Sequence, residues 1–211
     1  MFEFTSFCTK LKFLLTQTLP GNSAQQQMAP SLREDLRGNS TPNSLTRQSA
    51  VLILIFPSNN NAPYSVLIKR QTYNGPHSGQ ISLPGGKTED YDDDIIKTAL
   101  REANEEIGIN KNDIKVLGTL TNLYIPISNL TVKPVVGYVE YEPTFTPNLQ
   151  EVEYIISFPI FSILNSDSKS VKVISSHGRP ITAPYYNIQG EMVWGATAMI
   201  LSEFENVLRQ A

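Results

Sequence analysis

Three glutamates and an arginine crowd the stretch LREANEEIGI: Arg101, Glu102, Glu105 and Glu106. Glu102, Glu105 and Glu106 stand at i, i+3 and i+4, so on a helix their carboxylates share one patch. Three like charges that close repel one another, and a helix gains nothing from them alone. A hard divalent cation reverses the sign, because Mg²⁺ takes oxygen ligands from a few carboxylates and from substrate phosphates. Such a patch could therefore do metal-assisted chemistry on a phosphate. The plain alternative is a solvated acidic face. The turn Pro84-Gly85-Gly86 and the acidic loop before the helix favour the chemical reading.

The element carrying these residues must be a helix. Ile96, Leu100, Ala103 and Ile107 recur at helical spacing and make one apolar stripe. Asp92, Asp93 and Asp94 sit where a helix over about residues 93–107 begins, and carboxylates there cap free N–H groups. Gly108 falls where a left-handed residue ends a helix.

Around it the chain reads as strands. AVLILIF, Ala50–Phe56, is an unbroken apolar run and predicts a central strand. Tyr64–Arg70, Gln80–Leu83, Ile114–Tyr124, Leu130–Tyr141 and Val152–Phe158 follow as strands, and Val171–Ser176 with Ala183–Ile188 as a hairpin-like pair. Phe161–Leu164 reads as a helical turn, and Gly195–Leu208 as a last helix burying Ala196, Met199, Ile200, Phe204 and Leu208. Residues 1 to about 20 predict an amphipathic helix stopped by Leu19-Pro20-Gly21. Residues 21–43 are polar, with a short turn at Met28–Leu36. This predicts a helical extension over 1–45 and one α/β (α+β) domain over 46–211, with a mixed sheet between helices. The extension is expected to pack on the domain or on a partner subunit, which leaves room for a homodimer.

From Arg101 to Ile109 the chain resembles the Nudix hydrolase family. That signature is Gly, five residues, Glu, seven residues, then Arg-Glu-aliphatic-x-Glu-Glu-x-Gly-aliphatic. Counting back from Arg101 puts Asp93 at the first acidic position, with Gly86 one residue further off than the signature allows. The Nudix subgroup similar to coenzyme A pyrophosphatases has such a longer loop. It also has an upstream motif, roughly Leu-Leu-Thr-x-Arg-Ser, Arg-x-His-x-Gly-Gln, Phe-Pro-Gly-Gly. Here VLIKRQTYNGPHSGQISLPGG, Val66–Gly86, matches at Arg70, His77, Gly79, Gln80, Pro84, Gly85 and Gly86, while Gly75 and Leu83 depart. Val193–Ala198 also looks like the subgroup's start of the last helix. The resemblance covers about Ser49 to Leu208 and implies an α/β/α sandwich.

It further implies hydrolysis of a diphosphate linkage with Mg²⁺ or Mn²⁺. Glu102, Glu105 and Glu106 are the expected metal ligands, with the Gly86 carbonyl a fourth candidate. Arg101 is expected to orient a glutamate, and Glu151 to approach the metal from the far side. Arg70, His77 and Gly85 are the substrate-binding candidates. Asp93 and Glu89 are acidic neighbours that capping or solvation alone would explain. The substrate expected is a small nucleotide, coenzyme A first. ADP-ribose or another nucleoside diphosphate derivative is the alternative, and a ligand sensor with little turnover the second.

The totals agree. A chain of 211 residues with 40% hydrophobic and 18% charged residues suits a globular domain. A net charge of −3 gives no bulk attraction to nucleic acid or to an anionic membrane. The opening segment is interrupted by Lys10 and Lys12 and does not read as a signal peptide. Cys8 is the sole cysteine, so no intrachain disulfide forms, which accords with a cytoplasmic setting. No Cys or His cluster supports zinc.

Overall fold

A computed structural model describes residues 3–31, 41–72, 78–176 and 179–211. In chain order the elements are α1 (Phe4–Leu15), α2 (Gly21–Gln26), β1 (Arg47–Pro57), β2 (Pro63–Arg70), β3 (Ile81–Ser82), β4 (Gly85–Lys87), α3 (Ile95–Ile107), β5 (Lys115–Thr119), β6 (Leu123–Ile125), β7 (Leu130–Tyr138), β8 (Val152–Pro159), β9 (Lys169–Ser176), β10 (Arg179–Ile188), β11 (Glu191–Trp194) and α4 (Ala196–Leu208).

The main sheet is mixed and runs β3–β2–β1–β7–β5, with β4 on β1, β6 on β7 and β8 on β2. Only β1 and β7 pair in parallel; the other pairs are antiparallel. From Ala50 to Phe56 strand β1 is apolar because both its faces are covered there. Ala50, Leu52, Leu54 and Phe56 meet Ala99, Leu100, Ala103 and Ile107 of α3. Ile53 and Ile55 share the opposite core with Leu11 and Leu15 of α1 and Leu201 and Phe204 of α4. The predicted sandwich is therefore present.

One edge of β1 changes partner along its length. Residues Ile55–Pro57 pair with β2, whereas Ser49–Val51 pair with β4. At the fork the Leu52 N–H donates to the Pro84 carbonyl. This fork brings the Gly85-Gly86 turn up against α3.

The N-terminal segment packs on the chain's own domain. Leu15 lies against Gly118 of β5, and the Phe4 ring sits 6.1 Å from that of Tyr138. Gln25, fully buried, donates to the Thr121 carbonyl and to Glu203 Oε2, while Glu203 Oε1 accepts from the Gly21 and Thr121 N–H groups. Burial pushes the Cys8 thiol up to about 12, which leaves it inert.

Several expected elements are redrawn. Ile114–Tyr124 is not one strand but two, β5 and β6, because the chain leaves the ladder between Leu120 and Asn122. Residues 21–26, read as polar connection, form α2, a helix with an interior polar contact in place of an apolar stripe. Leu130–Tyr141 ends as a strand at Tyr138. The hairpin gains a third strand, β11, across Gln189 (φ 54) and Gly190 (φ 86), a two-residue turn of the mirror-image kind. Part of the expected turn at Met28–Leu36 lies outside the described residues, but Met28 is core. No helix among the described residues is long and apolar enough to cross a membrane.

Candidate active site

Helix α3 begins where Asp94 Oδ1 accepts the Lys97 N–H at 2.8 Å, and it ends at Gly108, whose φ of 71 is left-handed. Beyond it, the Thr146 and Asn148 N–H groups donate to the Ile107 and Glu106 carbonyls. The loop before β8 thus satisfies the open end of α3. The same loop delivers Glu151, whose N–H donates to the Asn148 carbonyl and whose carbonyl accepts the Gln71 N–H.

Strand β4 supplies the other wall. A side chain at Gly85 would run into the Ala50 carbonyl and Val51, and one at Gly86 would run into the Glu102 carboxylate. Glycine at 86 is therefore what lets Glu102 lie against the strand. The Gly85 N–H donates to Glu106 Oε2 at 2.8 Å, and Ser49 Oγ donates to the Gly86 carbonyl at 2.5 Å.

Arg101 binds the acids together. Its Nη1 donates to Glu102 Oε1 at 2.8 Å and to Glu105 Oε2 at 3.0 Å. Its Nε and Nη2 grip the two oxygens of Asp92 at 2.9 and 3.0 Å, and Nη2 also reaches the Lys87 carbonyl. Asp92 accepts further from Thr98 Oγ1 and the Glu89 N–H. This bonding, to Arg101 first, holds the Asp92 carboxyl well below the usual carboxylate range.

The acid that meets Arg101 is thus Asp92, and the expectation for Asp93 is corrected: Asp93 is exposed. Five residues separate Gly86 from Asp92, as the signature has it. The additional residue lies between Asp92 and Arg101, where the chain enters α3, and not in the loop ahead of the acid. Counting forward from Gly86 would have found Asp92; counting back from Arg101 could not. Glu89 is exposed and serves the loop through its N–H. Asp92→Asn is expected to lower kcat about 10- to 100-fold by loosening Arg101, a typical effect for a residue that orients ligands. Asp93→Asn should leave kcat unchanged, and steady-state kinetics of the two variants separates the assignments.

Glu106 is only 1% exposed, and Arg70 Nη1 lies 3.2 Å from its Oε1. Burial raises its pKa to about 7 against the pull of Arg70 and the Gly85 N–H; Glu102 and Glu151 raise it further. Burial likewise raises Glu102, only partly offset by Arg101. Glu105 is half-exposed at the surface of the group. Arg70, Gln71, Thr72, Leu149, Gln150 and Glu151 line a cleft of about 430 Å³ beside Glu106. His77 lies outside the described residues.

Among the described residues, no three His, Cys, Asp or Glu side chains already converge as a metal cage. Glu102 and Glu105 turn to Arg101, and Glu106 to Arg70. The donor chemistry nonetheless fits a hard divalent cation. The donors are oxygens only, and the nearby acids disfavour the charge of Glu102 (through Glu105 and Glu151) and of Glu106 (through Glu102 and Glu151), which a cation would relieve.

The NUDIX domain profile matches residues 46–165, more than half of the chain. The chain belongs to the Nudix family. Nudix hydrolase NudL from Pectobacterium atrosepticum is 34% identical over 182 residues, covering 85% of this chain and 88% of that protein. The chloroplastic Nudix hydrolase 22 of Arabidopsis thaliana is 33% identical over 170 residues, 78% of this chain and 56% of the relative. The human mitochondrial coenzyme A diphosphatase is 32% identical over 128 residues, 60% of this chain and 54% of its own. In fold, a MutT/nudix family protein from Enterococcus faecalis matches 99% of this chain and 76% of its own at TM-score 0.53 and 15% identity. As a Nudix hydrolase the protein cleaves diphosphate linkages in small nucleotide derivatives, chemistry for which the family uses a divalent cation. The acidic face of α3 and the Gly85-Gly86 strand lie within the matched domain.

Proposed function

We propose that this Nudix hydrolase cleaves coenzyme A or a coenzyme A derivative at its diphosphate. The products would be an adenosine bisphosphate and a 4′-phosphopantetheine fragment. The observation that carries this reading is where the Val66–Gly86 motif falls. Its Arg70 contacts Glu106, its Gly85 N–H holds the other oxygen of Glu106, and its Gly86 abuts Glu102. The similarity to the human coenzyme A diphosphatase supports the same substrate class. Of the two departures, Leu83 is a core residue, 2% exposed, where one apolar side chain stands in for another. The other, Gly75, lies outside the described residues.

Glu102, Glu105 and Glu106, with the Gly86 carbonyl, would hold Mg²⁺ or Mn²⁺. When bound, such a cation neutralises phosphate charge and lowers the pKa of water. Arg101 fixes Glu102 and Glu105 and is itself held by Asp92, so it acts through them. Among the described residues Glu105 Oε1 has no hydrogen-bond donor, and this half-exposed oxygen is free to take a proton from the attacking water. Glu151 faces the same cleft from the β8 side, and Arg70 offers a guanidinium to the diphosphate.

Comparing kcat/KM on coenzyme A, ADP-ribose, NADH and diadenosine polyphosphates in Mg²⁺ and in Mn²⁺ tests the substrate. Coenzyme A is expected to lead by at least about tenfold, the size of discrimination that a few contacts provide. A higher value on another compound would keep the hydrolase and discard coenzyme A.

A further inference from the structure

We propose that Arg70 is an exchangeable counter-ion: it holds Glu106 in place, yields that oxygen to a divalent cation, and turns into the cleft to meet the substrate's diphosphate. The inference rests on the metal-dependent reading above. It assigns to one side chain two successive partners and a sequence in which they are met.

The two oxygens of Glu106 are held very differently. Oε2 accepts from the Gly85 N–H, a backbone group locked in β4 against β1. That donor cannot follow a moving carboxylate without breaking the strand pair. Among the described residues, Oε1 is held by Nη1 of Arg70 alone, at 3.2 Å. A charge-assisted guanidinium–carboxylate bond is usually about 2.7–2.9 Å and often double. A cation accepted by Glu106 therefore has one oxygen to compete for, and its competitor is weakly held.

The two arginines of the site make the contrast plain. Arg101 has 11% of its side chain exposed and makes five hydrogen bonds of 2.8–3.0 Å. It is fixed. Arg70 has 24% of its side chain exposed, stands at the end of β2 where the register with β8 shifts, and lines the cleft with Gln71, Thr72 and Glu151. Rotation about its side-chain bonds alone carries the guanidinium from Glu106 into that cleft. There a diphosphate offers a stronger, bidentate partner. Cation and diphosphate then help each other: the first frees Arg70 for the second, and by linkage the second favours the first.

The test uses Mn²⁺ alone, followed by electron paramagnetic resonance, and ADP as the diphosphate probe. Arg70→Gln is expected to bind Mn²⁺ about tenfold more tightly than the parent, since the competitor is gone. It should bind ADP in saturating Mn²⁺ about tenfold more weakly. An Arg70 that stays fixed beside Glu106 would raise Mn²⁺ affinity on removal but leave ADP binding unchanged, so unchanged ADP binding, or unchanged or weaker Mn²⁺ binding, overturns the proposal. Should the variant fail to fold, the parent suffices. Mg²⁺ added to protein labelled with ¹⁵N-arginine should shift the Arg70 Nε–H signal, identified by its loss in Arg70→Lys, and leave Arg101 nearly unmoved. A stationary Arg70 signal in protein that cleaves coenzyme A refutes the exchange alone. A shifted signal in protein that leaves coenzyme A intact refutes the substrate alone. Absence of Mn²⁺ binding by the folded parent refutes both.

Discussion

Glu106→Gln is expected to lower kcat by roughly a thousandfold, about 4 kcal/mol of barrier, while leaving the protein folded. It should also flatten the dependence of stability on pH. The carboxyl is buried and its pKa rises from 4.5 to about 7 in the folded chain. Below pH 4.5 it is neutral in both states and costs nothing. Between 4.5 and 7 the unfolded chain ionises while the folded chain keeps its proton, so stability falls as pH rises. The loss reaches about 3 kcal/mol and levels off above pH 7. Glutamine mimics the protonated carboxyl, accepting the Gly85 N–H through its carbonyl while Arg70 turns aside. In EDTA the variant should therefore match the parent near pH 4 and exceed it in Tm at pH 7.5. Glu102 is shifted in the same direction, so part of the slope persists in the variant. Thermal unfolding from pH 4 to 8 in EDTA, beside kcat in Mg²⁺, checks both halves. A variant with near-full turnover would remove Glu106 from the site.

Gly86→Ala is expected to cost roughly a hundredfold in kcat/KM, the penalty of moving a catalytic group by about an ångström. The new methyl group would occupy the space of the Glu102 carboxylate. Glu102 cannot swing freely, because Arg101 holds it and Asp92 holds Arg101. Something must shift, at a cost of about 1–3 kcal/mol in stability, as for other overpacked sites. Gly85→Ala should behave in the opposite order. Its methyl group meets the backbone of β1, so the strand pair yields first and the larger loss is in stability, with activity falling only as far as the Gly85 N–H that holds Glu106 is displaced. Measuring kcat/KM and Tm for the pair distinguishes the two glycines. Full activity in Gly86→Ala would show that Glu102 need not lie where it does.

The helix was legible in the sequence because two independent signals coincide there: an apolar stripe with polar ends, and acids at one face. Strand β1 was legible because an unbroken apolar run has few other fates. The covering of both its faces follows from the same run. What stayed hidden depended on register and on partners distant in sequence. Gly85 and Gly86 read as a turn, yet they are a strand, because Ser49–Val51 had an edge left over where β2 departs. Asp92 and Asp93 are neighbours in a run of acids; counting back from Arg101 picks Asp93, whereas counting forward from Gly86, like the geometry of Arg101, picks Asp92. Ser49, which holds the Gly86 carbonyl, carries no local signal at all. Helix α2 is secured by Gln25 and Ser202 in polar contacts, so periodicity could not show it. Arg70 was legible as a substrate-binding candidate from its motif, but its contact with Glu106, distant in sequence, was not.

Mass spectrometry of coenzyme A incubated with the purified protein in H₂¹⁸O puts the metal-dependent hydrolysis to the most direct trial. In Mg²⁺ or Mn²⁺ it should yield an adenosine bisphosphate and a 4′-phosphopantetheine fragment, one of the two carrying a single ¹⁸O. In EDTA the substrate should stay whole. Intact coenzyme A after incubation with folded protein in Mg²⁺, or equal cleavage in EDTA, would contradict it.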